Sequence, residues 1–422
     1  MLEKKKGIRK IHQLRIIGLL EADFNTALKL FFAKHLVSNA ETTSLTEEQW
    51  GGRPFRTALD PALRKMLAFD YSRVMYVTLL LFANDATACF DRMVPAISTI
   101  IAMKYGVTPE VMICRNKIMA DMEHIIRTSH GDSSLTYRQE SGDICLNGET
   151  QGKGDVGSLW SIESQTLLRA HKALHDGISL PHVDGGTAIV KNNDSYVDDT
   201  DGMTSRWDHD LPSSIVKTIK HAQIGAQIWT DLLDGSGQSI AFHKSMWQLL
   251  GFDTSTFPPS IIDLAPHTIT LNDRQGAPSL IRQIGSNQPN PALGCLLAPT
   301  GQQISEFNHR LDQLHQLTAR IRPVKLTILQ AYSILQPRIL PKITFSMAVT
   351  SLSDDQCRRL NTALDPTMLN KLHINQHAPK AALYSSLSRG GLDYPSFRII
   401  QAQKGILTLM KHLRFDSTIG ND

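Results

Sequence analysis

The sequence predicts an α+β fold made of more than one subdomain, and three observations support this prediction. The chain has 422 residues, which is more than a single ordinary hydrophobic core accommodates. Apolar residues make up 41% and charged residues 20%, a balance that is typical of globular proteins and argues against disorder. Short apolar runs with a strand pattern alternate with longer stretches of helical periodicity. We therefore expect strands and helices in a few subdomains around a shared cleft.

The first part of the chain predicts a strand, a helix, a loop and a buried strand, in that order. Residues 11–36 begin with a short apolar run and continue with apolar residues at helical spacing. The polar segment 44–57 contains glycine and proline, which favour a loop. The run 73–82 is apolar and β-rich, as in a strand covered on both faces, and leads into "ANDATACFDRM". This pattern places the carboxylate of Asp85 at the end of a buried strand.

The middle of the chain predicts helices around an acidic hairpin. A helical pattern covers residues 95–130, a glycine-rich turn covers 146–160, and a second helix covers 159–174. The segment "SYVDDTDGMTS" combines residues that favour strands with aspartate and glycine, which favour turns, so it predicts a hairpin. A helix near 213–234 follows, and then a turn with a strand pair in "GSGQSIAFHKSMWQLLGF".

The last part of the chain predicts a connector and then a helical region. Residues 253–292 hold several prolines, which favour short strands over a helix. From Ser305 onward, apolar residues recur at helical spacing. Basic residues accompany this pattern, the first four of them at positions expected to be exposed: Arg310, Arg320, Arg322, Lys325, Arg338 and Lys342.

Composition and charge exclude several classes of protein. The five cysteines lie far apart without a Cys-x-x-Cys pair, so we expect neither a disulfide framework nor a structural zinc site. The longest apolar run, 74–83, is far shorter than the roughly 20 residues that span a bilayer, and the N-terminal segment has no apolar signal region. We therefore expect an intracellular protein, nuclear or cytoplasmic, without membrane association. The formal charge of +4 permits nucleic-acid binding without demonstrating it.

Three aspartates stand almost side by side in the hairpin segment, namely Asp198, Asp199 and Asp201. Adjacent carboxylates repel, so keeping them ionised together requires solvent, a cation or a substrate that brings one. An EF-hand calcium loop is a poor match, because aligning Gly202 with the glycine of that loop puts Val197 where the first carboxylate belongs. A solvated turn rich in aspartate remains open as an alternative.

Asp85 favours a metal site over a solvated turn. A carboxylate at the end of a buried strand and a pair at a hairpin tip supply ligands from more than one element, as a two-metal site requires. Two divalent ions in such a site activate an attacking hydroxyl and stabilise a departing pyrophosphate. The residues therefore indicate phosphoryl or nucleotidyl transfer.

These motifs resemble those of reverse transcriptases, most of all the non-LTR (LINE-like) retrotransposon type. A strand that ends in Asp85 and is followed by "CFD", a Gln-Gly turn at Gln151 and Gly152, and a Tyr-x-Asp-Asp hairpin from Tyr196 to Asp199 stand in the order of that family. The similarity is looser in "LRIIGLLEADFNTALK", "EEQWGGRPFRT" and "SGQSIAFHKS". In all, it covers roughly residues 8–255.

The resemblance implies an α+β polymerase shaped like a right hand. Residues 1–80 would form a fingers-like region, 81–255 a palm with an antiparallel sheet, 256–300 a proline-rich connector with short strands, and 301–422 a helical thumb-like region. The implied activity is that of an RNA-directed DNA polymerase, which extends a DNA primer on an RNA template with deoxynucleoside triphosphates (dNTPs). The basic thumb-like helices would hold the nucleic-acid backbone through phosphate contacts, or they are simply a solvated charged face.

The resemblance also assigns the metal ligands and a selectivity residue. Asp85 and Asp198 would be the principal ligands of Mg²⁺, or of Mn²⁺ in its place, with Asp199 beside them as ligand or electrostatic support. Phe90 matches the steric gate that excludes a nucleotide 2′-hydroxyl and so favours deoxynucleotides. The alternative for Phe90 is a plain core phenylalanine.

The remaining implied residues belong to the nucleotide pocket. Gln151 and Gly152 would shape its floor, where glycine lets the backbone approach substrate closely. Tyr196, in the hairpin motif, is assigned to nucleotide binding as well. Lys244 and Arg15 would face the triphosphate, or they are ordinary surface charges.

Departures from the family pattern leave two other classes of function open. The family usually has a Ser-Pro pair after Gln-Gly, where this chain has Val156 and Gly157. One alternative is a catalytically inactive relative that only binds RNA or an RNA–DNA hybrid, and another is an unrelated Mg²⁺ phosphotransferase that uses the same carboxylates. No endonuclease or RNase H region accompanies the polymerase-like part, so we expect a fragment, or a domesticated or decayed copy, of a longer element.

Overall fold

The N-terminal part consists mainly of helices that lead to a central sheet. The computed structural model describes residues 2–3, 14–15, 17–128, 130–138, 148–180, 189–206, 211–253, 255, 257–262 and 267–414. The first elements are β1 (Leu2–Glu3), β2 (Leu14–Arg15), α1 (Ala22–Leu28), a π-helical stretch (Lys29–Leu36), α2 (Val37–Thr43) and α3 (Leu59–Met75). The loop predicted at 44–57 is confirmed. The sequence pattern did not reveal α3, the longest of these helices.

The buried strand begins later than predicted. It was expected at 73–82, but α3 continues to Met75, and Tyr76 closes that helix in the left-handed conformation with φ of 52°. The strand, β3, spans Leu79–Asp85 and still carries Asp85 at its end. Side chains of β3 enter the hydrophobic cores on both faces of the sheet. The prediction of a strand covered on both faces is therefore confirmed.

The central part places helices and a hairpin next to this strand. Its elements are α4 (Cys89–Arg92), α5 (Pro95–Lys104), α6 (Pro109–Asp121), β4 (His124–Thr128), β5 (Gly131–Tyr137), α7 (Val156–Leu174), β6 (Ile178–Leu180), β7 (Ile189–Lys191), β8 (Asn193–Tyr196), β9 (Asp199–Thr204) and α8 (Leu211–Gly235). The single helical stretch predicted at 95–130 is two helices and a strand, because Gly106, with φ of 95°, follows α5 and Pro109 begins α6. The two later helices and the hairpin at 193–205 are confirmed.

A six-stranded sheet forms the centre of the fold. Its later strands and the short strand pairs beside it are β10 (Met246–Leu250), β11 (Phe252–Asp253), β12 (Ser260–Ile261), β13 (Ile269–Asn272), β14 (Pro278–Gln283), β15 (Asn290–Ala292) and β16 (Cys295–Leu297). The strand order is β13-β14-β10-β3-β9-β8, and all neighbours are antiparallel except β10 and β14. Of the two strands predicted after α8, only β10 forms. The first is reduced to an isolated bridge between Ile240 and Ala86.

Helices cover both faces of this sheet. One core lies between the sheet and α5, α6, α7 and α8, and the other lies between the sheet, α3 and the pair β15–β16. The α+β prediction is thereby confirmed, and the acidic hairpin lies between two helical layers.

The C-terminal part is helical and has a core of its own. Its elements are α9 (Ile304–Ile321), α10 (Ile328–Ile334), a π-helical turn (Leu335–Ile339), α11 (Leu340–Thr344), a 3₁₀ turn (Phe345–Ala348), α12 (Asp354–Lys371), α13 (Lys380–Tyr384), a second 3₁₀ turn (Leu387–Arg389) and α14 (Phe397–Arg414). The helical prediction from Ser305 onward is confirmed, while the division into four regions, with its three boundaries, remains a prediction. Within the described ranges, no helix combines the length and apolarity needed to cross a membrane.

Candidate active site

The sheet brings Asp85, Asp198 and Asp199 to one edge. Asp85 ends β3, and the antiparallel register makes it the direct partner of Asp199 at the start of β9. Tyr196 pairs with Asp199 across the hairpin, so the turn between β8 and β9 has only two residues. The N–H of Ala86 donates to the carbonyl of Asp198, with 3.2 Å between nitrogen and oxygen. The three aspartates that the sequence singled out therefore lie next to one another on two adjacent strands and their connecting turn.

The turn that carries Asp198 has an unusual backbone. Val197 adopts φ of 61°, which is rare for a β-branched residue and is normally left to glycine in two-residue hairpins. The indole N–H of Trp160 on α7 donates to the carbonyl of Val197 over 2.6 Å. Gly51 lies so close that a Cβ there would come within 2.6 Å of the Val197 nitrogen. The surrounding structure thus fixes a strained turn in place, as is common at functional sites.

Negative charge accumulates at this edge of the sheet. Desolvation raises the pKa of Asp199, and repulsion by Asp198, Asp85 and Asp201 raises it further, to about 6. Burial, together with the charges of Asp198 and other nearby carboxylates, also raises the pKa of the Cys89 thiol. The ammonium group of Lys244 offsets part of this charge, because it forms an ion pair with the carboxylate of Asp85. The site is therefore suited to attract a cation.

The carboxylate oxygens at this edge are suitable ligands for a hard divalent cation. In the structure, however, the ammonium group of Lys244 occupies the position of a cation beside Asp85. Carboxylate oxygens are the ligands that Mg²⁺ prefers in proteins. Across the described residues, however, no three His, Cys, Asp or Glu side chains are grouped so as to hold a metal ion. Lys244 forms its ion pair with one oxygen of the Asp85 carboxylate. A cation that used Asp85 would therefore replace the ammonium group of Lys244.

The Gln-Gly turn packs against the backbone of the N-terminal segment at Gly18. The carbonyl of Gln151 accepts a hydrogen bond from the N–H of Gly18 over 2.8 Å. Gly152 has φ of 109°, and a Cβ there would lie 2.7 Å from the Gly18 carbonyl oxygen. The positive φ and the close Gly18 carbonyl favour glycine at this position. The predicted approach of this backbone to substrate stays a prediction. Through Gly18, the N-terminal segment of the chain therefore contacts both residues of the Gln-Gly turn.

Arg115 of α6 organises the residues around this turn. Its guanidinium group lies 2.7 Å from a carboxylate oxygen of Glu149 and 2.5 Å from one of Asp155. Lys153 approaches the second oxygen of Glu149 to 3.2 Å. All four side chains are buried, and their formal charges sum to zero. Although burial alone would lower it, the carboxylates of Asp155 and Glu149 raise the pKa of Arg115.

The other predicted nucleotide-binding residues are distributed around the same edge. Phe90 lies in α4 with its ring half-buried, and its carbonyl accepts a hydrogen bond from the N–H of Glu149 over 2.9 Å. The backbone of Phe90 therefore lies beside the segment that carries the Gln-Gly turn, while its side chain packs against the hydrophobic core that α5, α6, α7 and α8 share with the sheet. Tyr196 is half-buried at the end of β8, and Lys244 is exposed. Arg15 belongs to β2, and its side chain lies outside the described part of the chain.

Arg310 does not have the exposed position that the sequence predicted. Its guanidinium group is buried, pairs with Glu306, and donates to the carbonyl of Lys342 over 3.2 Å. The side chain joins the helices of the C-terminal part and is not available to a phosphate. The other basic residues of this set are exposed: Arg320, Arg322, Lys325, Arg338 and Lys342.

Sequence reasoning missed several residues that position the hairpin. Trp160 holds the turn, Arg115 holds the neighbouring Gln-Gly loop, and Arg64 and Lys65 of α3 contact the hairpin stem. The local sequence carries one signal, in that Arg64 and Lys65 stand in "PALRKMLAF" among apolar residues. Their partners are distant in sequence and could not be identified from it.

Comparisons with known proteins find likeness only among solved structures. No family model matches the chain, and no curated protein matches it. Apo telomerase from Candida tropicalis aligns with a TM-score of 0.40 and 12% identity over 94% of this chain and 56% of that one. The telomerases from Candida tropicalis and Candida albicans in complex with a TWJ fragment of telomeric RNA give TM-scores of 0.37 and 0.36, with 11% and 8% identity. These two alignments cover 94% and 93% of this chain, and 51% and 56% of the respective telomerase chains.

This chain therefore spans about half the length of the telomerases that it matches. Likeness at this level supports no conclusion about activity.

Proposed function

We propose that this chain is an RNA-directed DNA polymerase of the reverse-transcriptase family, with its catalytic site at the end of β3 and the acidic hairpin. The observation that carries the proposal is the strand register, which makes Asp85 and Asp199 direct partners with Asp198 in the adjoining turn. Carboxylates from two elements at one sheet edge suit cations that bind a triphosphate. The motif order along the chain supports the finer assignment to the non-LTR type.

The proposed reaction is attack of a primer 3′-hydroxyl oxygen on the α-phosphorus of a dNTP. A new oxygen–phosphorus bond forms, the bond to the β,γ-diphosphate breaks, and pyrophosphate leaves. Bound Mg²⁺ or Mn²⁺ would lower the pKa of the hydroxyl and stabilise the departing pyrophosphate. Asp85, Asp198 and Asp199 would hold these ions. In this proposal Lys244 is the counter-ion of Asp85 before substrate binds, and it turns to the triphosphate afterwards.

The nucleotide pocket in this proposal lies between α4, the Gln-Gly turn and the hairpin. The hydrogen bond between Phe90 and Glu149 connects α4 to the segment that carries Gln151 and Gly152. In this proposal the half-buried ring of Phe90 would line the sugar site and select against a 2′-hydroxyl. Rigid backbone contacts at Gly152 and the turn at Val197 would preorganise the pocket, which is the main contribution a protein makes to nucleotidyl transfer.

A second candidate function is binding of RNA or an RNA–DNA hybrid without catalysis. It is favoured by the ion pair that occupies Asp85 and by Val156 and Gly157, which replace the usual Ser-Pro pair. Exposed basic residues of the C-terminal helices, such as Arg320 and Arg322, would then supply the phosphate contacts.

Template-dictated incorporation is the test that separates these functions. A labelled DNA primer is annealed to four RNA templates that differ only in the first templating base, and each dNTP is supplied singly with Mg²⁺ or Mn²⁺. The polymerase proposal predicts addition of the complementary dNTP alone, and it predicts that Phe90→Ala admits the corresponding ribonucleotide. Salt-sensitive template binding without incorporation under either cation would establish the binding function instead. Nucleotide turnover without a template would indicate the phosphotransferase.

A further inference from the structure

The stem of the acidic hairpin carries a second pair of carboxylates. Asp194 on β8 and Asp201 on β9 are direct partners in the antiparallel register. Directly opposed residues lie on the same face of a strand pair, and like charges in that position destabilise it. Asp194 is fully buried, and the side chain of Asp201 is 20% exposed. Without positive charges from another element, the repulsion between the two carboxylates would separate the strands or keep one carboxylate protonated.

Two consecutive residues of α3 supply the compensation. The guanidinium group of Arg64 lies 2.8 Å from a carboxylate oxygen of Asp194. The ammonium group of Lys65 lies 2.6 Å from a carboxylate oxygen of Asp201. Both cationic side chains are almost completely buried, at 4% and 1% exposed. Each strand of the hairpin is thus held to α3 by a separate ion pair, and the buried Lys191 adds a second positive charge near Asp194.

Neighbouring contacts hold Asp194, Arg64 and the start of α3 in place. The indole N–H of Trp50 lies 3.4 Å from the same Asp194 oxygen, and the guanidinium group of Arg64 lies 5.8 Å from the centre of the Trp50 ring. At the start of α3, Asp60 binds Lys411 of α14, with 2.7 Å between nitrogen and oxygen. The helix is thus anchored at one end by the C-terminal part and contacts the hairpin one turn later.

We propose that Arg64 and Lys65 are positioning residues, which set where the hairpin tip lies relative to Asp85. Asp201 follows Asp199 by two residues on the same strand, so displacement of the stem moves the tip. Neither cation contacts the tip carboxylates in the described contacts. The charge of Lys65 lowers the pKa of Asp199 and that of Asp201 raises it, so a variant that removes both charges leaves mainly the effect carried by the paired strands. This inference rests on the proposed function, because it assigns a role within the same site.

A charge-conserving double variant tests the proposal. Lys65→Met with Asp201→Asn removes both charges of one buried pair, so the net charge around the hairpin is unchanged and no buried charge is left without a partner. The matched control is Glu306→Gln with Arg310→Met, which removes a buried pair in the C-terminal part. Each protein is measured for Mn²⁺ binding by electron paramagnetic resonance, for thermal unfolding, and for kcat and KM in primer extension.

The expected result is a Kd for Mn²⁺ that rises about tenfold in the hairpin variant, the usual effect of losing a contact that orients metal ligands. The control should keep the parental Kd at a similar unfolding temperature. We also expect kcat to fall at limiting Mn²⁺ and to recover at saturating Mn²⁺, since a loss of folded protein alone would lower the rate at every Mn²⁺ concentration. Parental Mn²⁺ affinity in the folded hairpin variant would overturn the inference.

Two further outcomes keep the test decisive. If the double variant does not fold, Asp201→Glu retains the ion pair but lengthens the side chain by one methylene, and an unchanged Kd in that variant would refute positioning. A parent protein that binds no Mn²⁺ would overturn the proposed function and the inference with it. A parent that binds Mn²⁺ without extending a primer would overturn the polymerase proposal, while the comparison of Kd values would still decide the role of Lys65.

Discussion

Replacing Arg115 by methionine is expected to lower the free energy of unfolding by about 3–5 kcal/mol, the usual cost of breaking a buried ion pair from one side. Arg115 is 3% exposed in its side chain, and it contacts Glu149 at 2.7 Å and Asp155 at 2.5 Å. Glu149 would keep Lys153 as a partner, but Asp155 is completely buried and would lose the charged partner described here. Most of the predicted loss therefore comes from the carboxylate of Asp155.

The assay is urea denaturation at neutral pH, followed by circular dichroism and analysed by linear extrapolation. Arg127→Met provides a matched control, because Arg127 pairs with Asp132 at 2.7 Å with side chains that are 70% and 42% exposed. The control should leave the transition almost unchanged, since exposed ion pairs contribute little. Adding Asp155→Asn to Arg115→Met should recover part of the loss. Equal losses in Arg115→Met and the control would refute the argument from burial.

Two further predictions concern backbone strain and acid stability. Gly152→Ala should destabilise the chain by about 1–3 kcal/mol through its positive φ and the close carbonyl, whereas Gly157→Ala in α7, with no atom within 4 Å of the added Cβ, should be neutral or stabilising by up to about 1 kcal/mol. Thermal melts of the two variants check this, and a loss in both would contradict it. Burial, together with the nearby charge of His175, lowers the pKa of His171 to about 4, so the unfolded chain takes up a proton near pH 6.5 before the folded chain does. Stability should therefore fall by up to about 3 kcal/mol as the pH drops from about 6.5 to 4, and His171→Phe should flatten this dependence in urea titrations. An unchanged slope in the variant would assign the acid sensitivity to other groups.

The elements that carry the candidate site could be predicted because their signals are local. An apolar run that ends in a carboxylate indicated β3, although α3 displaced its start by several residues. Tyr196 and Val197 before a pair of aspartates indicated the hairpin, and the structure confirms it. Asp85 and Asp199 are partners because β3 and β9 are neighbours in the sheet. Strand order is a property of the whole sheet, so the local sequence does not reveal this pairing.

The supporting charges could not be predicted, since a buried cation and a solvated one have the same letter in the sequence. Lys65 reaches Asp201 across more than a hundred residues of chain. Arg310 shows the opposite error, because its spacing from Glu306 is that of an exposed helical pair. In the structure the guanidinium group is buried and bonds to the carbonyl of Lys342 on another helix. Tertiary packing, which the local pattern does not encode, decides both cases.

The role of the acidic hairpin in catalysis is tested by single-nucleotide extension of a DNA primer on an RNA template with Mg²⁺, in which the parent is compared with Asp198→Ala. We expect the parent to extend the primer and the variant to be slower by more than about 100-fold, because it loses a proposed metal ligand. Both proteins should bind the template equally. Asp312→Ala, at an exposed position of α9, should extend like the parent. Extension by Asp198→Ala at the parental rate would contradict the assignment of the acidic hairpin as the catalytic site.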